Sequence, residues 1–275
     1  MRIENITSAQ NPKIKTLLEL QEKSKARRKE GLFVVEGRRE LLHCIEAGYV
    51  PHTVFFCPEI ISENDKAEIV QAIKKQNAEG NEKMPMAIEV PQQLYDKVAY
   101  RGGTEGVVAE MYCKDLDLES LKLKENPLIV VLESVEKPGN LGAVLRSADA
   151  SGVDAVIVCD PLTDMYNPNL IRSSIGAIFT VPVATAKSDE AIAWLKDKGA
   201  KIYTAQLQNS EWYYDTDMKG ATAIVMGTEA TGLTDAWRNA ADAHIKIPML
   251  GRLDSLNVSV SAAILMYEAV RQRNS

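Results

Sequence analysis

The sequence predicts an α/β protein: a mostly parallel sheet in the C-terminal half, preceded by a smaller α/β domain. Three observations carry this reading. From Leu128 onward, short apolar runs alternate with helix-like segments, the pattern of parallel strands covered on both faces. A length of 275 residues and a mass of 30.3 kDa exceed one small domain. The charged, glycine-free stretch 115–126, followed by Pro127, supplies a linker between domains at 1–114 and 127–275. Hydrophobic residues at 45% and charged residues at 25% exclude a disordered or collagenous chain.

The elements follow in order. Residues 12–29 read as one helix with Ile14, Leu17 and Leu18 on a face. Phe33–Val35 is extended, and a helix over 38–47 ends at Gly48. Strands are expected at 53–57, 86–90 and 106–112, with a helix over 65–78. In the second half, strands are expected at 128–132, 155–159, 179–183, 201–205, 223–226 and 244–247. Helices are expected over 141–150, 168–177, 188–198, from near Thr234, and over 255–271.

Composition narrows the chemistry. Cys44, Cys57, Cys113 and Cys159 lie far apart, so they read as small buried hydrophobes rather than a disulfide framework or a metal pair. No apolar run approaches the ~20 residues of a membrane-spanning helix. The start Met1-Arg2-Ile3-Glu4-Asn5 lacks the apolar segment of a signal peptide, and a cytoplasmic protein is expected. The net charge of −6 argues against nucleic acid at first sight, but it is unevenly spread. Residues 1–40 hold ten Lys/Arg against six Asp/Glu, a net +4, which leaves −10 on the rest. A solvated helix face explains the run Lys23 to Lys29, and so does an arm for a phosphate backbone.

Three loops stand where open α/β sheets bind ligands, after the carboxyl ends of strands. The first runs from Glu133 to Arg146, with Pro138 and Gly139 forming the turn and Asn140 suited to cap the next helix. A plain strand–turn–helix connection accounts for all of it except the cation Arg146. The GxGxxG spacing of dinucleotide binding is absent, which disfavours a nicotinamide oxidoreductase. The second loop is Met226-Gly227-Thr228-Glu229-Ala230-Thr231-Gly232-Leu233, whose glycines permit close backbone approach. The third runs from Ile247 to Ser261. Ser255 is a plausible helix cap there, yet Asn257-Val258-Ser259-Val260-Ser261 are poor helix formers. Ser259 and Ser261 read as small packing residues.

In this order, the three loops resemble the signature motifs of the SpoU family of S-adenosylmethionine-dependent RNA 2′-O-ribose methyltransferases (SPOUT superfamily). Asn140 and Arg146 match the first motif, Glu229 the second, and Ser255 and Asn257 the third. Thr228 and Ala230 depart from the residues usual in the second. Phe33-Val34-Val35-Glu36-Gly37 with Glu40 and Leu41, after the basic segment from Asn11, resembles the ribosomal-protein-like substrate domain that precedes many such catalytic domains.

The resemblance implies a Rossmann-like sheet with a C-terminal trefoil knot, which topology rules alone would never propose, and a homodimer. It implies Asn140, Arg146, Glu229, Ser255 and Asn257 at the reacting centre. It also implies S-adenosylmethionine held by Gly227, Ile247 and Leu256, with no metal. Lys13, Lys15, Arg27, Arg28 and Arg38 are the expected RNA contacts. His43, His52 and His244 fall outside the motifs and read as structural. Ribosomal RNA is the expected substrate. The alternatives are transfer RNA, or a non-catalytic RNA-binding or ribosome-assembly protein of the same fold.

Overall fold

The computed structural model describes residues 3–78, 84–99, 105–228 and 231–275. They group into two compact units: Met1–Lys114 with Tyr166–Arg172, and Asp115–Met165 with Ser173–Ser275. The first contains β1 (Ile3–Asn5), α1 (Pro12–Glu22), α2 (Ser24–Glu30), β2 (Leu32–Glu36), α3 (Arg38–Glu46), β3 (Pro51–Phe56), α4 (Glu63–Ala78), β4 (Met86–Glu89), α5 (Gln92–Val98) and β5 (Val107–Tyr112). Its five-stranded sheet has the order β1-β4-β3-β5-β2. β4 is parallel to β1 and β3, while β5 is antiparallel to β3 and β2.

Helix α1 starts where the sequence supplies both start signals. The Asn11 side chain accepts the Lys13 N–H at 2.9 Å, and Pro12 occupies the first turn. Its stripe Ile14, Leu17 and Leu20 is fully buried against Leu32, Val34, Phe55 and Ile88 of the sheet.

The single helix expected over 12–29 is two helices, because Lys23 takes an extended conformation (φ −114°, ψ 113°). The cause sits four residues on. Arg27 is buried at 3% exposure, and its Nη1 donates to the Leu20 and Gln21 carbonyls at 2.6 and 3.2 Å. These carbonyls belong to the last turn of α1, which has no helical donor for them. Arg27 therefore departs from its expected role as an RNA contact: its guanidinium is held inside the unit. Arg27→Ala is expected to destabilise the protein by about 2–3 kcal/mol in urea unfolding, as buried carbonyls lose a charged donor.

The second unit contains β6 (Leu128–Glu133), α6 (Pro138–Ser151), β7 (Ala155–Cys159), α8 (Ala177–Thr180), β8 (Val183–Ala186), α9 (Ser188–Asp197), β9 (Lys201–Ala205), β10 (Glu211–Trp212), β11 (Thr222–Met226), α10 (Asp235–Ala240), β12 (Ala243–Lys246) and α11 (Val258–Arg273), while α7 (Pro168–Ser173), before α8 in the chain, belongs to the first unit as far as Arg172. The seven strands pair in the order β10-β12-β9-β11-β6-β7-β8, parallel at every pair. Strands β6, β7 and β11 are buried along their whole length, as a sheet covered on both faces requires. Helices α6 and α11 pack together, with α11 against β6 and β11, while α9 and α10 pack against β9. Around Trp194 and Trp237 the core also receives Leu118, Leu121 and Leu123, and the Leu116 carbonyl accepts the Thr185 N–H at 2.7 Å. The segment read as a linker is thus laid against this unit.

Several boundaries differ from expectation. The strand expected at 179–183 is helix α8 followed by β8, and the helix expected over 168–177 stops at Ser173. Ile175 and Gly176 both have positive φ (55° and 81°), which ends one helix and starts the next. Helix α6 begins at Pro138 with Lys137 in the capping position, so Asn140 lies inside its first turn rather than capping it. Helix α11 is capped by Asn257 rather than Ser255. Strands β1 and β10 and helix α5 were not foreseen. Among the described residues, no helix is long and apolar enough to cross a membrane.

Candidate active site

Parallel pairing brings the carboxyl ends of β9, β11 and β12 to one edge of the sheet. The segments leaving them, with the start of α11, enclose a cavity of about 660 Å³. That lies within the ~300–1,000 Å³ of small-molecule sites. Its wall is formed by 205–208, by 226–228 with 231–233, by 245–247 with Met249, and by 254–258. Met226, Leu233, Ile245, Ile247, Leu256 and Leu265 give it an apolar lining suited to a flat ring. Arg238, Lys246 and Asp254 supply charge.

Gly227 stands where only glycine fits. A Cβ built on it would overlap the Gly232 carbonyl and lie 2.6 Å from Leu233 N. Thr228 and Gly232 are joined by a two-bond bridge, Thr228 N–H to Gly232 O at 3.2 Å and Gly232 N–H to Thr228 O at 3.0 Å. The Thr228 hydroxyl also accepts the Thr231 N–H at 3.0 Å, so the departure at this position contributes a local turn bond. Gly232 has φ +68°.

Of the expected site residues, Gly227, Ile247, Leu256, Ser255 and Asn257 line the cavity. Asn140 reaches it through Asn257, whose Nδ2 donates to Asn140 Oδ1 at 3.1 Å. The Asn257 Oδ1 meanwhile accepts the Ser259 N–H at 3.0 Å and the Ser259 hydroxyl at 2.6 Å. One amide thus caps α11 with its oxygen and ties the first and third loops together with its nitrogen. This explains why poor helix formers stand at that start. Arg146 is exposed on α6, outside the cavity wall, and no hydrogen bond or ion pair joins it to a described residue. Glu229, like Ala230, lies outside the described residues.

Sequence reasoning missed Arg238, Lys246, Ser261 and 205–208 as cavity-lining positions. The strand-end rule would have found 205–208, had their composition drawn attention.

Among the expected RNA contacts, Lys15 and Arg28 are exposed, Lys13 pairs with Glu4, and Arg38 pairs with Asp65 and Glu68. His244 is bonded at Nδ1 to the Thr204 hydroxyl at 2.6 Å, within the sheet. The thiols are poor nucleophiles: burial pushes Cys44 and Cys159 up and Cys57 up to about 11. Among the described residues, no group of three metal-ligating side chains occurs.

Residues 127–267 match the SpoU rRNA methylase family, and residues 11–109 match an MRM3-like substrate binding domain. The chain is 30% identical to RlmP of Bacillus subtilis, a 23S rRNA guanosine 2′-O-methyltransferase, over 96% of this chain and 98% of that one. It is likewise 30% identical to a 23S rRNA uridine 2′-O-methyltransferase of Streptomyces viridochromogenes, over 90% and 86%. Among solved structures, an RNA 2′-O ribose methyltransferase matches with TM-score 0.80 and 34% identity, covering 99% and 100% of the two chains. An AdoMet-bound (S-adenosylmethionine-bound) rRNA methyltransferase from Sinorhizobium meliloti matches with TM-score 0.86 and 27% identity over 98% of each. Motif order, cavity and whole-length likeness agree: the chain belongs to the SpoU rRNA methylase family.

Proposed function

We propose that this protein transfers a methyl group from S-adenosylmethionine to a ribose 2′-oxygen of ribosomal RNA. The observation that carries the reading is the 660 Å³ cavity, built from the second and third loops and tied to the first through Asn257. Its apolar lining suits an adenine ring, and the bare backbone at Gly227 allows close approach. The relatives that share this architecture methylate 23S rRNA, and one of the matching structures holds AdoMet.

When bound, S-adenosylmethionine supplies an already activated methyl group. The chain must then position the 2′-oxygen in line and remove its proton. Arg146 is assigned the phosphate beside the target ribose and the developing negative oxygen, a role that suits a guanidinium, which donates five N–H bonds and accepts none. Asn140 and Asn257 orient the loops, with Ser255 and Glu229 assigned to the ribose side. Lys15 and Arg28, exposed on the basic segment, are assigned to the RNA backbone.

We also infer a cytoplasmic homodimer and a trefoil knot. One observation supports the knot. α11 packs on α6 although β12, from which the chain arrives, is separated from β6 by β9 and β11. The return therefore passes the edge at which β9 and β11 end. For the dimer, Val260 and Tyr267 of α11 are about half exposed, and sedimentation of the purified protein tests it.

The function is tested by thermal melting and by mapping. S-adenosylmethionine at 100-fold over its Kd is expected to add about 2.7 kcal/mol of stability and to raise the melting temperature, while NAD does not. A 2′-O-methyl group is expected to disappear from ribosomal RNA in cells lacking the protein. Its disappearance from transfer RNA instead would overturn the substrate assignment.

A further inference from the structure

Strand β6 reads Leu-Ile-Val-Val-Leu and then ends on Glu133, whose side chain is buried at 2% exposure. No ion pair joins it to a described residue. A buried carboxyl without a cation is costly to desolvate, and an apolar residue would close the strand at lower cost. Its hydrogen bonds show what it holds. Oε2 accepts the Thr234 backbone N–H at 2.8 Å, and Oε1 accepts the Thr234 hydroxyl at 2.7 Å. The Ser188 hydroxyl lies 3.2 Å from Oε1 and 2.7 Å from Asp160 Oδ2, and it accepts the Trp237 Nε1–H at 2.9 Å.

Thr234 caps α10 and directly follows Gly232 and Leu233, which line the cavity. The other end of that wall continues from β11, the neighbour of β6. One carboxyl at the end of β6 therefore holds Thr234, and with it the adjoining wall residues 231–233, by both donors of a single threonine. We propose that Glu133 is a positioning residue, which sets the loop that shapes the methyl-donor cavity and so governs affinity for S-adenosylmethionine without touching RNA. The proposal rests on the reading of that cavity as the methyl-donor site.

Glu133→Gln keeps the shape but removes the charge and one acceptor, so either the Thr234 N–H meets an amide N–H or the Thr234 hydroxyl must turn from charge-assisted donor to acceptor. It is expected to raise the KM and Kd for S-adenosylmethionine at least tenfold, with the RNA KM unchanged and kcat largely restored at saturating cofactor. Loss of stability alone would not split the two KM values below the melting temperature. Thr234→Val keeps the N–H bond and loses the hydroxyl, so a smaller rise of about threefold in Kd is expected. Thr234→Ser keeps both donors and should restore wild-type affinity. Because Thr234→Val leaves Glu133 in place, it tests the same clamp even where Glu133→Gln fails to fold. Amide hydrogen exchange over 227–234 in the cofactor-free protein should quicken in both weakened variants. Wild-type affinity in folded Glu133→Gln or Thr234→Val, or equal rises in both KM values, would overturn the proposal. Wild-type protein that binds no S-adenosylmethionine would instead overturn the reading of the cavity, and exchange over 227–234 would still decide whether Glu133 sets the loop.

Discussion

Arg146→Ala is expected to lower kcat by about 10²–10³-fold or more, the cost of removing one preorganised donor from a developing oxyanion, while S-adenosylmethionine binds as before. The two halves of this expectation have separate grounds. Arg146 stands on α6, outside the cavity wall and exposed, so nothing in the cavity changes shape when it is truncated. No described carboxylate neutralises it, which leaves its fork of donors available to a phosphate and to the negative charge that grows on the attacking 2′-oxygen as its proton leaves. Arg146→Lys keeps the charge and loses the planar fork, so an intermediate rate is expected. Tritiated-methyl transfer gives the rate and calorimetry the affinity. Near-normal turnover in Arg146→Ala would remove it from the reacting centre, and a parallel loss of cofactor affinity would make it part of the cavity instead.

The second sheet was legible because its strands are unbroken apolar runs. Leu128–Leu132, Ala155–Cys159 and Ala223–Met226 have no reading other than buried parallel strands once helices alternate with them. Legibility failed where a short apolar run stood beside a positive-φ residue. Ala177–Thr180 has strand-like composition, and only the backbone reversal at Ile175 and Gly176 makes it a helix.

At the site, residue types at fixed spacing were readable, but pairings across the chain were not. That Asn257 reaches Asn140, 117 positions away, depends on α11 returning to α6. Arg27 and Glu133 show the same limit from opposite directions. A basic run read as solvated or RNA-facing contains one guanidinium turned inward onto carbonyls. A strand-ending acid in the first loop, given no role, is buried under the second. Charge type is written in the sequence; which way a charged side chain turns is decided by the acceptors and donors that packing leaves unpaired.

Gly227→Ala is expected to weaken S-adenosylmethionine binding by at least about 100-fold, near 2.7 kcal/mol, in a protein that still folds. The added methyl would have to occupy the space of the Gly232 carbonyl and approach Leu233 N, and these are backbone atoms with no rotamer to yield. Relief requires opening the Thr228–Gly232 bridge, whose two hydrogen bonds at 3.2 and 3.0 Å form one wall of the cavity. Damage should stay local, because β11 is already complete at Met226 and its register with β6 and β9 is set by Thr222–Met226. Gly251→Ala is the control: a Cβ there meets nothing within 4 Å, so affinity should stay close to wild type. Calorimetric titration compared with far-ultraviolet circular dichroism separates the two effects. Gly227→Ala with wild-type affinity would mean that the cofactor does not lie against this turn, and the cavity would lose its claim to be the methyl-donor site.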